Sequence, residues 1–243
     1  NWANAKRYTI YLRAKDKAGN YNNTYAVNYT SVTIIFDSAK PNSSVTEPAE
    51  GIYYSTPVIA GDFNMKGSCS DPNSPNNSGI EGSVQGAVKV RFLRIIAGTT
   101  DYWDGSAWKV WYATYPFING PTTAASGDPL PWTWLFSADN LTLDGKYTIE
   151  TQAQDKAVPS PNYESIGSTR TFYIDNTPPV STRFEPQNNT FRTSLSVISG
   201  TVNSDISGTF GVGVALKQNS DNYYWQNNTT NWYSTVTWHT ASI

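Results

Sequence analysis

The sequence predicts an all-β chain, and three observations carry that prediction. Charged residues are 15% and aromatic residues 14% of the chain, and Asn, Ser, Thr and Gly are abundant, a mixture that favours strands and turns over helices. Apolar and polar residues alternate in runs such as Val88–Phe92 and Thr169–Ile174, while no stretch sustains the i, i+3, i+4, i+7 period of an amphipathic helix. One phrase is also written twice: Tyr-Thr-Ile, a short alternating stretch and Asp-Lys-Ala, at 8–18 and again at 147–157.

The elements can be justified in order from that phrase, because its neighbourhood repeats as well. The Tyr8 strand is followed by TSVTIIFDSAKP at 30–41, and the Tyr147 strand by STRTFYIDNTPP at 168–179. Each is an alternating strand that ends in Asp and a proline-bearing linker. Beyond each linker comes a strand with Gly, Asp and Ser-Gly, MKGSCSDPNSPNNSG at 65–79 and VISGTVNSDISG at 197–208. Next are two aromatic hairpins with polar turns, DYWDGSAWKVW at 101–111 and NYYWQNNTTNWYS at 222–234, and then WTWLF at 132–136 and VTWHT at 236–240. In the strand at 88–92, Val88, Val90 and Phe92 share one face; Tyr147 and Ile149 share another. The Gly-, Pro- and Ser-rich stretch near 119–131 reads as an excursion loop. Pro178 and Pro179 stiffen the second linker.

The repeat implies a division. Residues 37–174 make one complete unit, 175–243 the N-terminal part of a second, and 1–36 the C-terminal strands of such a unit. Thirteen positions separate Trp134 from Tyr147, and thirteen separate Trp238 from Tyr8 when residue 243 is followed by residue 1. The chain is therefore expected to be one period of a longer assembly. Its 1–36 segment would complete the 175–243 unit of a neighbouring copy or repeat, through peptide continuity or through strand exchange at a sheet edge.

Units of about 100 residues with some seven short strands point to tandem immunoglobulin-like β-sandwiches, one of them split across the chain ends. ISGTVNSDISG, YTIYLRAKDKAGN and FYIDNTPP resemble the tandem bacterial Ig-like repeat domains of large cell-surface proteins and adhesins, and the resemblance spans nearly the whole chain. It departs from the pattern at DKAVPSPN, which stands in the first unit where DKAGN would be expected, and at the 119–131 excursion. The resemblance implies an extracellular, cell-surface structural or adhesive fibre or surface-layer segment whose partners are copies of itself or neighbouring repeats, with no catalysis. Tyr147 and Tyr8 stand where a tyrosine corner would form.

Candidate chemistry is weighed against that background. In a sandwich of this kind the loops after the second and sixth strands meet the entering linker at one end. That gathers Asp37, Asp71 and Asp155 in the first unit, and Asp175, Asp205, Asp16 and Asn20 across the join. Two readings stand: such oxygen-rich sets suit an interdomain calcium ion, a device that related surface repeats use, and Asp and Asn also cap turns with no ion. No cofactor is otherwise required.

Nine tryptophans leave a second function open, a secreted carbohydrate-binding module that stacks surface glycans on Trp103, Trp108, Trp225 and Trp232. Packing or assembly is the favoured account of their recurrence in both units, because buried indole area is a large stabilising contribution. Asn22, Asn28, Asn42, Asn76, Asn140, Asn188, Asn227 and Asn228 each head an Asn-x-Ser/Thr triplet, and so are candidate glycosylation sites. The lone histidine, His239, lacks a placeable Ser/Asp or Cys partner set, and no carboxylate pair stands out as an acid–base couple, so no enzyme is expected. Cys69 has no partner cysteine and reads as a small buried residue. A net charge of −2 with scattered Lys and Arg argues against a nucleic-acid groove. The chain has no apolar run of membrane-spanning length and no signal-peptide pattern.

Overall fold

The structure, a computed structural model, describes residues 1–55, 61–73, 75–80, 86–110, 115–120, 122–123, 129–203, 206–226 and 231–242. Contacts divide the chain into two compact units, Asn1–Ile174 and Asp175–Ile243. Among the described residues the chain is all-β apart from a short 3-10 turn at Ala138–Asn140. No helix there is long and apolar enough to cross a membrane.

In the first unit, β1 (Lys6–Tyr11) and β2 (Ser31–Phe36) form a two-stranded antiparallel sheet of their own. Then come β3 (Asn42–Glu47), β4 (Tyr53–Tyr54), β5 (Asp62–Ser70), β6 (Val88–Ile96), β7 (Thr99–Trp103), β8 (Trp108–Val110), β9 (Ile118–Asn119), β10 (Thr122–Thr123), β11 (Leu130–Ser137), β12 (Gly145–Ala153) and β13 (Thr169–Ile174). One sheet has the order β10-β11-β5-β3; the other has β4-β13-β12-β6-β7-β8, with β9 also on β6. Short strand β10 lies within the stretch expected to be an excursion loop, and β9 ends at its first residue.

Period-2 alternation decides what these sheets bury. Val88, Val90 and Phe92 of β6, Tyr147 and Ile149 of β12, and Phe172 and Ile174 of β13 turn inward on one sheet. Phe63, Met65 and Cys69 of β5 and Trp132, Trp134 and Phe136 of β11 turn inward on the other. Phe92 meets Trp134 and Phe136 edge to face, with ring centroids 5.7 and 5.0 Å apart. Phe63 meets Phe172 at 5.1 Å. Each such side chain contributes about 1.5–3 kcal/mol on leaving water, so this layered core holds the unit together. Gly67 is required where β5 passes under Trp132: a Cβ there would lie 1.8 Å from the Ser44 carbonyl oxygen and 2.4 Å from the indole. Tyr147 forms the corner, its hydroxyl donating to the Leu143 carbonyl at 2.9 Å. Burial pushes that phenol up to about 12 and keeps it a donor.

The second unit holds β14 (Val180–Glu185), β15 (Ser199–Asn203), β16 (Val212–Val214), β17 (Lys217–Gln218), β18 (Tyr223–Gln226), β19 (Asn231–Tyr233) and β20 (His239–Ala241). They form three small sheets, β14-β15, β16-β20 and β17-β18-β19. Local details of the first unit recur. The β3–β5 ladder is bulged between Val45 and Glu47, and the β14–β15 ladder between Arg183 and Glu185, with a Glu-Pro pair following each. Gly200 repeats Gly67, since a Cβ there would lie 2.1 Å from the Thr182 carbonyl oxygen.

Packing does not recur: no described residue from 175 onward is buried, and Phe191 and Phe210 are fully exposed. The strands of the matched segments WTWLF and VTWHT also pair differently. WTWLF pairs with β5, whereas β20 pairs with β16. In the first unit β12 takes the edge of β6. The second unit has no strand of the Tyr-Thr-Ile type among its own residues, which leaves the edge of β16 for β20 to occupy.

Candidate metal centre

Three of the expected ligands come together in the first unit. Asp37 lies in the linker after β2, Asp71 in the loop after β5 and Asp155 in the loop after β12. One carboxylate oxygen from each lies within 4.8 Å of the others. Asp71 and Asp155 are buried and Asp37 half-buried.

Hydrogen-bond donors reach both oxygens of two of the three carboxylates. Asp37 Oδ1 accepts from the Ala39 amide at 3.1 Å and Oδ2 from the Ser78 amide at 2.6 Å, which ties the linker to the Asp71 loop. Asp155 Oδ1 accepts from the Ala157 and Asn162 amides at 3.0 and 2.7 Å, and Oδ2 from the Asn162 side chain at 2.7 Å. The Ala39 and Ala157 bonds are turn caps, the Asn162 bonds close the Asp155 loop and the Ser78 bond is a tie between segments, so the ion-free reading accounts for Asp37 and Asp155.

Asp71 differs. Its Oδ2 accepts from the Gly79 amide at 2.7 Å and the Ser78 hydroxyl at 3.4 Å, but its buried Oδ1 has no hydrogen-bond partner among the described residues. Burial, followed by the nearby Asp37 and Asp155 charges, pushes this carboxyl up to about 6. The ion pairs among the described residues are Lys66–Glu47, Arg91–Glu150, Arg94–Asp101, Lys109–Asp104 and Arg192–Glu185, and none reaches the cluster.

The second expected set is divided between the two units. Asp175 Oδ1 accepts from the Thr177 amide at 3.1 Å and Oδ2 from the Ser207 amide at 3.2 Å, the same pair of ties that Asp37 makes. Asp16 accepts from the Asn20 amide at 2.8 Å and the Asn20 side chain at 2.9 Å, the clamp that Asp155 makes with Asn162. The Asn20 bonds hold Asp16 below the usual carboxylate range. Asp205 lies outside the described residues. Ser78, Gly79 and Asn162 were missed in the sequence reading. Asn162 was detectable: three residues longer than its counterpart, the loop DKAVPSPN still ends in the Asn of DKAGN.

The indole positions need a correction. Trp103 is buried, Trp108 is half-buried under Phe92 and Phe136 and donates to the Asn140 carbonyl at 3.0 Å, and the two rings meet edge to face at 5.6 Å. Core packing leaves neither as an open platform for a sugar ring. Trp225 and Trp232 repeat that cross-strand pair, are half-buried, and meet at 5.5 Å and 65° rather than lying coplanar.

Of the candidate glycosylation sites, Asn28, Asn42 and Asn188 are exposed and Asn22, Asn76 and Asn140 half-buried; Asn227 and Asn228 lie outside the described residues. Cys69 is buried, and a His239 ring nitrogen bonds the Trp225 carbonyl at 2.9 Å. No family model and no curated protein matches the chain.

Proposed function

We propose that the chain is a structural or adhesive segment of an extracellular fibre or surface layer, built from tandem immunoglobulin-like sandwiches. A hairpin of the 1–36 type completes the unit begun at 175–243.

One observation carries this reading: the same hairpin is covered in one place and bare in another. In the β12–β13 pair Tyr147 opposes Phe172, Gly145 opposes Ile174, and the apolar side chains are fully buried. In β1–β2 Tyr8 opposes Ile34 and Lys6 opposes Phe36, the same register, yet Ile10, Val32 and Ile34 are 40%, 44% and 36% exposed. The unit at 175–243 has the complementary deficit. Between β14–β15 and β16–β20 lies an open cleft of about 520 Å³, lined by Ile198, Val202, Val212 and Val214 among others. Each piece lacks what the other has.

Sedimentation of the full chain tests the reading. Association should increase with concentration, and Ile34→Asp or Phe191→Asp should each suppress it. A monomer at every concentration would count against the hairpin as the partner strand.

The runner-up, a carbohydrate-binding module, draws on Trp238, which is 67% exposed. Its counterpart Trp134 is buried in the completed sandwich, and completion of the second unit would cover Trp238 in the same way. Saturable glycan binding that is lost in Trp238→Ala would restore that reading.

A further inference from the structure

We infer that Asp37, Asp71 and Asp155 form a calcium site that fastens the entering linker to the two loops at the same end of the sandwich.

The spacing suits an ion. Donor oxygens sit about 2.3–2.6 Å from a bound calcium ion, so any two of them lie no more than about 5 Å apart. One oxygen from each aspartate already meets that limit, within 4.8 Å. The orphaned atom suits one as well. A buried carboxylate oxygen without a donor is costly, and turn capping leaves Asp71 Oδ1 as such an atom among the described residues. It belongs to the carboxyl group with both Asp37 and Asp155 as neighbours, and no lysine or arginine pairs with any of the three among the described residues. A cation would supply the missing partner and offset the repulsion among three carboxylates.

The donor set selects the kind of cation. It consists of carboxylate oxygens, with no imidazole or thiolate among the three, which disfavours zinc and suits a hard ion. Magnesium takes one or two carboxylates and keeps several waters, whereas calcium takes six to eight oxygens and tolerates irregular geometry. Three protein carboxylates from three separate segments therefore favour calcium.

The hydrogen bonds that hold Asp37 and Asp155 use their N–H-facing lone pairs. A carboxylate oxygen accepts in about two directions, so the caps and an ion can coexist. The inference rests on the 37–174 sandwich alone and does not need assembly. A failed ion test and a failed sedimentation test are thus separate results.

The experiment is calorimetric titration of chelator-stripped full chain with calcium chloride at neutral pH, paired with thermal melting. Wild-type chain should take up calcium saturably and melt higher with it. Asp71→Asn keeps the shape and removes the central charge. It should weaken calcium binding by about tenfold or more, since site affinity follows ligand charge count, and should melt higher than wild type in chelator. Asp37→Asn, a change at a half-buried linker residue, gives a second reading of lost affinity should Asp71→Asn not fold.

Absence of saturable uptake would overturn the site and leave a proton on Asp71 as the resolution of the cluster. Undiminished uptake in either variant would place the ion elsewhere and overturn it too. Magnesium binding as tightly as calcium would overturn the assignment of the ion.

Discussion

Asp71 shows how one side chain can make stability depend on conditions. Its folded value is about 6 against 3.8 unperturbed, so without a cation the folded chain holds a proton that the unfolded chain releases. Cation-free stability should therefore fall as pH rises from about 4 to about 6, then level off. Thermal melts in chelator across that range would check it, and Asp71→Asn should flatten the slope. With saturating calcium the dependence should reverse, because protons then compete with the ion. Gly67 is a second single-residue test. Gly67→Ala sets a Cβ against the Ser44 carbonyl and the Trp132 ring, and overpacking of this kind costs about 1–3 kcal/mol or more. Denaturant titration of the sandwich should show a loss at the upper end of that range.

At the scale of elements, the hairpins are the informative units. Tyr147→Phe removes the bond to the Leu143 carbonyl and the hydroxyl's interaction with Arg94, and leaves the buried ring in place. It should cost about 1 kcal/mol, read by denaturant melts of the full chain. Much of this level was legible beforehand. Alternation identified the inward faces of β6 and β12, and the expected sandwich topology identified Asp37, Asp71 and Asp155 as linker and loop aspartates that meet. What stayed hidden has physical reasons. Trp103 and Trp108 stand in an alternating hairpin whose two faces look alike in sequence, and only the sheet opposite decides which face is covered. The departure of β20 from the β11 pattern was equally hidden, because strand pairing depends on which competing edge is free. The orphaned Asp71 Oδ1 could not be foreseen either: spacing brings carboxylates together but does not distribute the available N–H groups among them.

At the scale of the whole chain, the described residues hold one two-sheet sandwich, the separate β1–β2 sheet and three small sheets beyond residue 175. The 175–243 unit keeps the bulge, the close-approach glycine, the paired tryptophans and the aspartate tie, yet none of its described residues is fully buried. That combination fits a sandwich lacking its last strands better than it fits a separate fold. The sequence carried this signal as register across the join, but exposure had to come from three-dimensional packing. The most direct measurement uses a rearranged chain in which residues 1–36 follow residue 243. In the first unit Tyr53 lies opposite Tyr173 in the parallel β4–β13 pairing and stacks on it at 4.6 Å. Counting from the two Glu-Pro pairs and from the two linker aspartates, Phe191 corresponds to Tyr53 and Ile35 to Tyr173. The rearranged chain carrying Ile35→Cys and Phe191→Cys should close an intramolecular disulfide under mild oxidation, with buried Cys69 left out of it. Thiols that stay free at both positions in the folded chain would contradict the claim that the hairpin completes the second sandwich.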